Sequence, residues 1–96
     1  MERYQFLIER MWEELHDAKT YAHKALMCKE DKAFADVMAD LSRQEYNHFS
    51  TLHSQAAMLA NSWDEEEIMR HVWMIDRERL IEKAGEVKTL VDMYRG

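Results

Sequence analysis

The sequence predicts an all-α chain, an antiparallel helical hairpin followed by a long third helix. Three observations carry that expectation. The 96 residues contain no proline and only two glycines, Gly85 and Gly96, so the turn chemistry of a sheet protein is missing. Apolar residues recur at three-and-four spacing over three long segments. Two polar interruptions separate those segments, and each looks like a helix boundary.

The first segment is expected to be helical over about residues 3–28. Its apolar seam reads Tyr4, Leu7, Met11, Glu14, Ala18, Tyr21, Ala25, Cys28. Lys29-Glu30-Asp31-Lys32 then interrupts the pattern, and Asp31 suits an N-cap because its side chain can accept from a free backbone N–H. The second helix is expected over about 32–60, with the seam Phe34, Met38, Leu41, Glu45, His48, Leu52, Gln55, Leu59. In the next interruption Ser62 and Glu65 have capping-box spacing, and the acidic run Asp64 to Glu67 suits the positive end of a helix dipole. The third helix follows over about 64–94, with the seam Trp73, Arg77, Leu80, Ala84, Val87, Val91, Tyr94. A period near 3.5 implies bundle-like packing, and short loops make sequential helices antiparallel neighbours. The length argues for one domain, residues 1–96, whose metal-binding part is the hairpin at about 3–60.

The bulk properties exclude some functions. A net charge of −6 disfavours nucleic acid, which needs clustered Lys and Arg. No apolar run is long enough to span a membrane. A single cysteine, Cys28, rules out an intrachain disulfide, and no signal-peptide pattern follows Met1. A cytoplasmic location is the expectation.

Three seam positions are wrong for an ordinary core: Glu14, Glu45 and His48. A buried carboxylate with no positive neighbour costs several kcal/mol or neutralises itself. About the turn near residue 30, Glu14 lies 16 residues before and Glu45 15 after, so both sit roughly 23 Å from it at 1.5 Å per residue. They are level, and His48 is one turn beyond Glu45 on the same face. One Glu plus a Glu-x-x-His is half of the ligand set of helix-bundle di-iron proteins. Carboxylate oxygens suit iron or manganese, and imidazole suits iron. A second Glu-x-x-His, Glu13 to His16, shares a face with Glu2, Glu9 and Thr20 that reads as solvated. The simpler way to complete the site is a symmetric dimer in which each copy supplies Glu14, Glu45 and His48.

Glu13-Glu14-Leu15, then Tyr21, then Glu45-x-x-His48 on the next helix, resembles the encapsulated ferritin-like proteins. The resemblance spans about residues 5–60 and implies a ferritin-like four-helix bundle completed by dimerisation. It implies a ferroxidase that oxidises Fe2+ to Fe3+ at a site shared between two subunits. Glu14, Glu45 and His48 would be iron ligands, and Tyr21 a tyrosine acting beside them. Glu13 and His16 would fall at an outer metal site, where the family has an acidic residue in place of His16. The implied partners are further copies, at least a dimer and up to a ring of dimers, and an encapsulin shell around them. No shell-targeting tail is seen after Gly96, and helix 3 is longer than the family's. Rubrerythrins and manganese catalases share the Glu-x-x-His logic, which keeps manganese and peroxide chemistry as an alternative. A non-catalytic helical assembly or adaptor with a structural metal site is the other.

The remaining residues read as structural. The methionines are expected to fill the core, His23 and His53 to lie at the surface, and Arg77 to pair with an acidic group across an interface. Trp12, Trp63 and Trp73 are expected to be packing anchors.

Overall fold

A computed structural model describes residues 2–63 and 66–96. Among these residues there are three helices and no strand: α1 (Glu2–Met27), α2 (Lys32–Asn61) and α3 (Glu67–Arg95). The molecule is a rod of 54 × 18 × 14 Å.

The α1–α2 turn forms as expected. Asp31 caps α2, its side chain accepting from the Phe34 amide at 3.2 Å, and the Asp31 amide donates to the Cys28 carbonyl at 3.0 Å. Near this turn the hairpin is lined by small residues. Ala18, Ala22 and Ala25 on α1 meet Ala35, Ala39 and Ser42 on α2, all buried. Small side chains let the backbones approach, and Ser42 Oγ donates across the gap to the Ala18 carbonyl at 2.7 Å. Farther from the turn the helices are spaced by larger groups, with Met11, Leu15 and Phe49 in one cluster with Leu80 and Val87 of α3.

The α1 seam is buried or half-buried throughout. The α2 seam is rotated from the expected one. The buried stripe is Ala35, Ala39, Ser42, Phe49, Ala56, Ala60, while Phe34, His48 and Gln55 are exposed and Met38, Leu41, Glu45, Leu52 and Leu59 are half-buried. At 100° per residue these two sets lie roughly 90° apart around the helix. The alanine-rich face wins because it permits closer packing. The Met/Leu face becomes a flank.

α3 begins at Glu67, three residues later than expected, and its N-cap Glu66 makes no side-chain capping bond. Asp64 and Glu65, on which the capping-box expectation rests, lie outside the described residues. α3 packs through Trp73, Leu80, Ala84 and Val87. Tyr4 connects α1 to it, its hydroxyl donating to Asp76 and its ring meeting Trp63 and Trp73 edge-on at centroid distances of 5.3 and 6.4 Å. Arg77 is exposed instead of lying on the packed seam. His53 is half-buried and not freely exposed: its ring lies between Phe49 and Trp73, and its Nε2 is closed off from solvent without a hydrogen-bond partner. The methionines divide as well: Met11 is in the core, whereas Met27, Met58, Met74 and Met93 are exposed, because α3 covers only one side of the hairpin.

Candidate metal centre

Ligand atoms of Glu14, Glu45 and His48 all lie within 4.8 Å of one another, a grouping that could hold a metal ion. The register that makes this possible is visible one turn away, where Ser42 bonds to Ala18. Moving four residues toward the N-terminus on α1 reaches Glu14, and moving three toward the C-terminus on α2 reaches Glu45. Antiparallel helices therefore carry the two carboxylates to the same level.

The three groups differ in exposure. Glu14 is 5% exposed, held between Met11 and Ala18 on the buried face of α1. Glu45 is half-buried, and the His48 side chain is 61% exposed, so the centre opens to solvent on the imidazole side. His48 Nδ1 lies 3.3 Å from Glu14 Oε2 and 3.9 Å from Glu45 Oε2. The opposite oxygen of Glu14 accepts from Arg10, whose second guanidinium nitrogen donates to Glu13.

This arrangement separates the two carboxyls electrostatically. Burial opposes the ionisation of Glu14, but hydrogen bonds to Glu45 and His48 and the charge of Arg10 outweigh it, holding Glu14 below the usual carboxylate range. Glu45 is pushed up to about 7, chiefly by the hydrogen bond it shares with the Glu14 carboxylate, then by burial and the nearby charges of Glu14 and Asp17. Two carboxyls this close share a proton until a stronger cation displaces it.

The donor set fits a hard or borderline divalent ion, with two carboxylates and one imidazole. Three protein donors leave coordination positions open, to be filled by water or by groups from elsewhere. The open flank offers room for the rest. Leu41, Glu45, His48, Leu52 and Leu59 share one side of α2, away from Tyr46 and His53 on the side that meets α3. On α1, Arg10 borders Glu14, whereas Lys19 reaches Glu86 of α3.

The remaining expected site residues do not join the cluster. Tyr21 lies two turns beyond Glu14, roughly 10 Å along the axis. With His16, His23 and Met38 it lines an open groove of about 560 Å³. His16 is exposed, Glu13 is exposed and engaged by Arg10, and neither belongs to the Glu14, Glu45 and His48 grouping. Arg10 was absent from the expected site. Its i, i+3 and i, i+4 spacing to Glu13 and Glu14 was the signal that could have found it.

Comparison with protein-family models, with curated proteins and with solved structures finds no match for this chain.

Proposed function

We propose that two copies of the chain pair through their open hairpin flanks and form a ferroxidase-like di-iron centre. The observation that carries this reading is the convergence of Glu14, Glu45 and His48 within 4.8 Å on the side of the hairpin that α3 leaves free. Pairing about a two-fold axis gives four glutamates and two histidines in a four-helix bundle, the ligand count of carboxylate-bridged di-iron bundles. The half-buried Leu41, with the parts of Leu52 and Leu59 that the core leaves uncovered, supplies apolar surface for the contact.

Ferrous iron is the substrate, and dioxygen or peroxide accepts its electrons. Glu14 enters the reaction already ionised. Glu45, pushed up to about 7 beside the Glu14 carboxylate, holds below neutral pH a proton that an entering ion has to displace. His48 provides a neutral nitrogen donor at the solvent edge, where exposure gives iron a way in. Glu14, at 5% exposure, anchors the inner side. Tyr21 lies two turns from Glu14, beyond direct ligation, as an electron donor or tuning group.

The test is an anaerobic titration with ferrous iron followed by exposure to air, on wild type and Glu45→Ala, read by near-ultraviolet absorbance and native mass. Two irons per pair of chains, with fast oxidation lost in the variant, is the expected result. Iron oxidation no faster than in buffer, or no stoichiometric binding, overturns the reading.

A further inference from the structure

Arg10 lies one turn before Glu14 on α1. Its guanidinium is forked between two carboxylates, one nitrogen donating to Glu13 and the other to Glu14. The two acceptors have different surroundings. The Glu14 side chain is 6% exposed and depends on protein partners for its oxygens, whereas the Glu13 side chain is 60% exposed and is solvated without help. Arg10 itself is 42% exposed, so its stem has room to move outward.

A guanidinium suits this position. It is always charged, its donors are arranged to grip two oxygens, and it is less strongly hydrated than an ammonium group. In the metal-free chain it supplies the positive charge that an ion would otherwise bring to Glu14. An entering ion competes with it for the same carboxylate, since Glu14 has one oxygen toward Arg10 and the other toward His48.

We propose that Arg10 is the internal cation that competes with a metal for this centre: it grips one oxygen of Glu14 and keeps the side chain aimed until a metal ion arrives, then pivots wholly onto Glu13 and leaves Glu14 to the metal. Glu13 is thus the alternative seat of the arginine and not an outer metal ligand. The exchange sets a threshold for occupancy, because only an ion that binds Glu14, Glu45 and His48 together recovers what the displaced ion pair contributed. The inference rests on the metal-centre reading above and adds the group that competes with the metal.

The test uses Mn2+ alone, which air does not oxidise under mild conditions, titrated calorimetrically into wild type, Arg10→Met and Glu13→Gln, with thermal melting of each metal-free protein. Arg10→Met is expected to bind Mn2+ about three- to fivefold more tightly, the scale of a half-exposed ion pair, and to melt lower without metal. Glu13→Gln is expected to bind more weakly, because the arginine then falls back onto Glu14. Binding by Arg10→Met that equals or falls below wild type overturns the proposal, making Arg10 a bystander or a fixed support for Glu14. Wild type that binds neither Mn2+ nor ferrous iron overturns the metal-centre reading itself, and this inference with it.

Discussion

Ser42 Oγ donates to the Ala18 carbonyl at 2.7 Å across the hairpin, and both residues are fully buried. It is a buried polar link between α1 and α2 one turn from the carboxylate pair, so it supports, together with the small-residue seam around it, the register on which Glu14 and Glu45 are level. Ser42→Ala removes the bond while keeping a small side chain. It is expected to cost about 0.5–1.5 kcal/mol, a fall of several degrees in a thermal melt. Ser42→Leu forces a bulky group into the alanine seam and is expected to cost about 1–3 kcal/mol or more. It also separates Glu14 from Glu45, so calorimetry should find metal binding weakened by Leu and retained by Ala.

Glu45 makes the metal-free protein sensitive to pH. Its folded-state value, about 7, lies above that of the unfolded chain, so the fold holds this proton more tightly. That contribution is complete below the ordinary carboxylate range and is lost as pH rises through 7. Glu14, held low, acts in the opposite sense: its contribution is present above the ordinary range and is lost in stronger acid. Between about pH 5 and 8 the Glu45 contribution opposes that of His53, which is lost on the acid side. The melting difference between metal-free wild type and Glu45→Gln should therefore move against wild type as pH rises from 5 to 8, and Glu45→Gln should abolish metal binding. A difference that moves in favour of wild type across that window would contradict the shared proton.

A metal ion bound through Glu45, as proposed, should release the same proton. Titration at pH 6 in buffers of different ionisation enthalpy should show about one proton set free per half-site, diminishing by pH 8. Equal heats in all buffers would mean that Glu45 is already ionised or is not a ligand.

His53 provides a control on the face of α2 that meets α3. Burial, then the charge of Arg77, lowers its pKa below the ordinary histidine range. The neutral ring is therefore favoured in the fold, and this contribution is lost as pH falls below about 6.5. His53→Phe keeps a ring between Phe49 and Trp73 and removes the unpartnered Nε2. It should melt higher than wild type at pH 5.5, with a smaller difference at pH 8, and it should leave metal affinity unchanged.

Tyr4 joins α1 to α3 through both its ring and its hydroxyl. Tyr4→Phe keeps the ring contacts with Trp63 and Trp73 and leaves Asp76 without its donor. The expected cost is about 1–2 kcal/mol, whereas Tyr4→Ala opens a cavity and should cost about 3–5 kcal/mol. Chemical denaturation of the two variants separates the hydroxyl from the ring.

The sequence by itself determined the three helices, the Asp31 cap, the buried face of α1, and the common level of Glu14 and Glu45. Each follows from a short-range rule, either the helical period, a capping preference, or rise per residue counted from a turn. Tertiary structure decided what those rules leave degenerate. α2 has two adjacent apolar faces, one of alanine with Ser42 and Phe49, the other of Met38, Leu41, Leu52 and Leu59. Periodicity describes both equally well. The alanine face is buried because close helix approach is possible only there, and that choice puts Glu45 and His48 at the edge of the hairpin instead of its centre. The later start of α3, the enclosure of His53 beside Trp73, and the grip of Arg10 on Glu14 arise in the same way. Each depends on which side chains meet across helices or compete for one carboxylate, and only packing in three dimensions decides that.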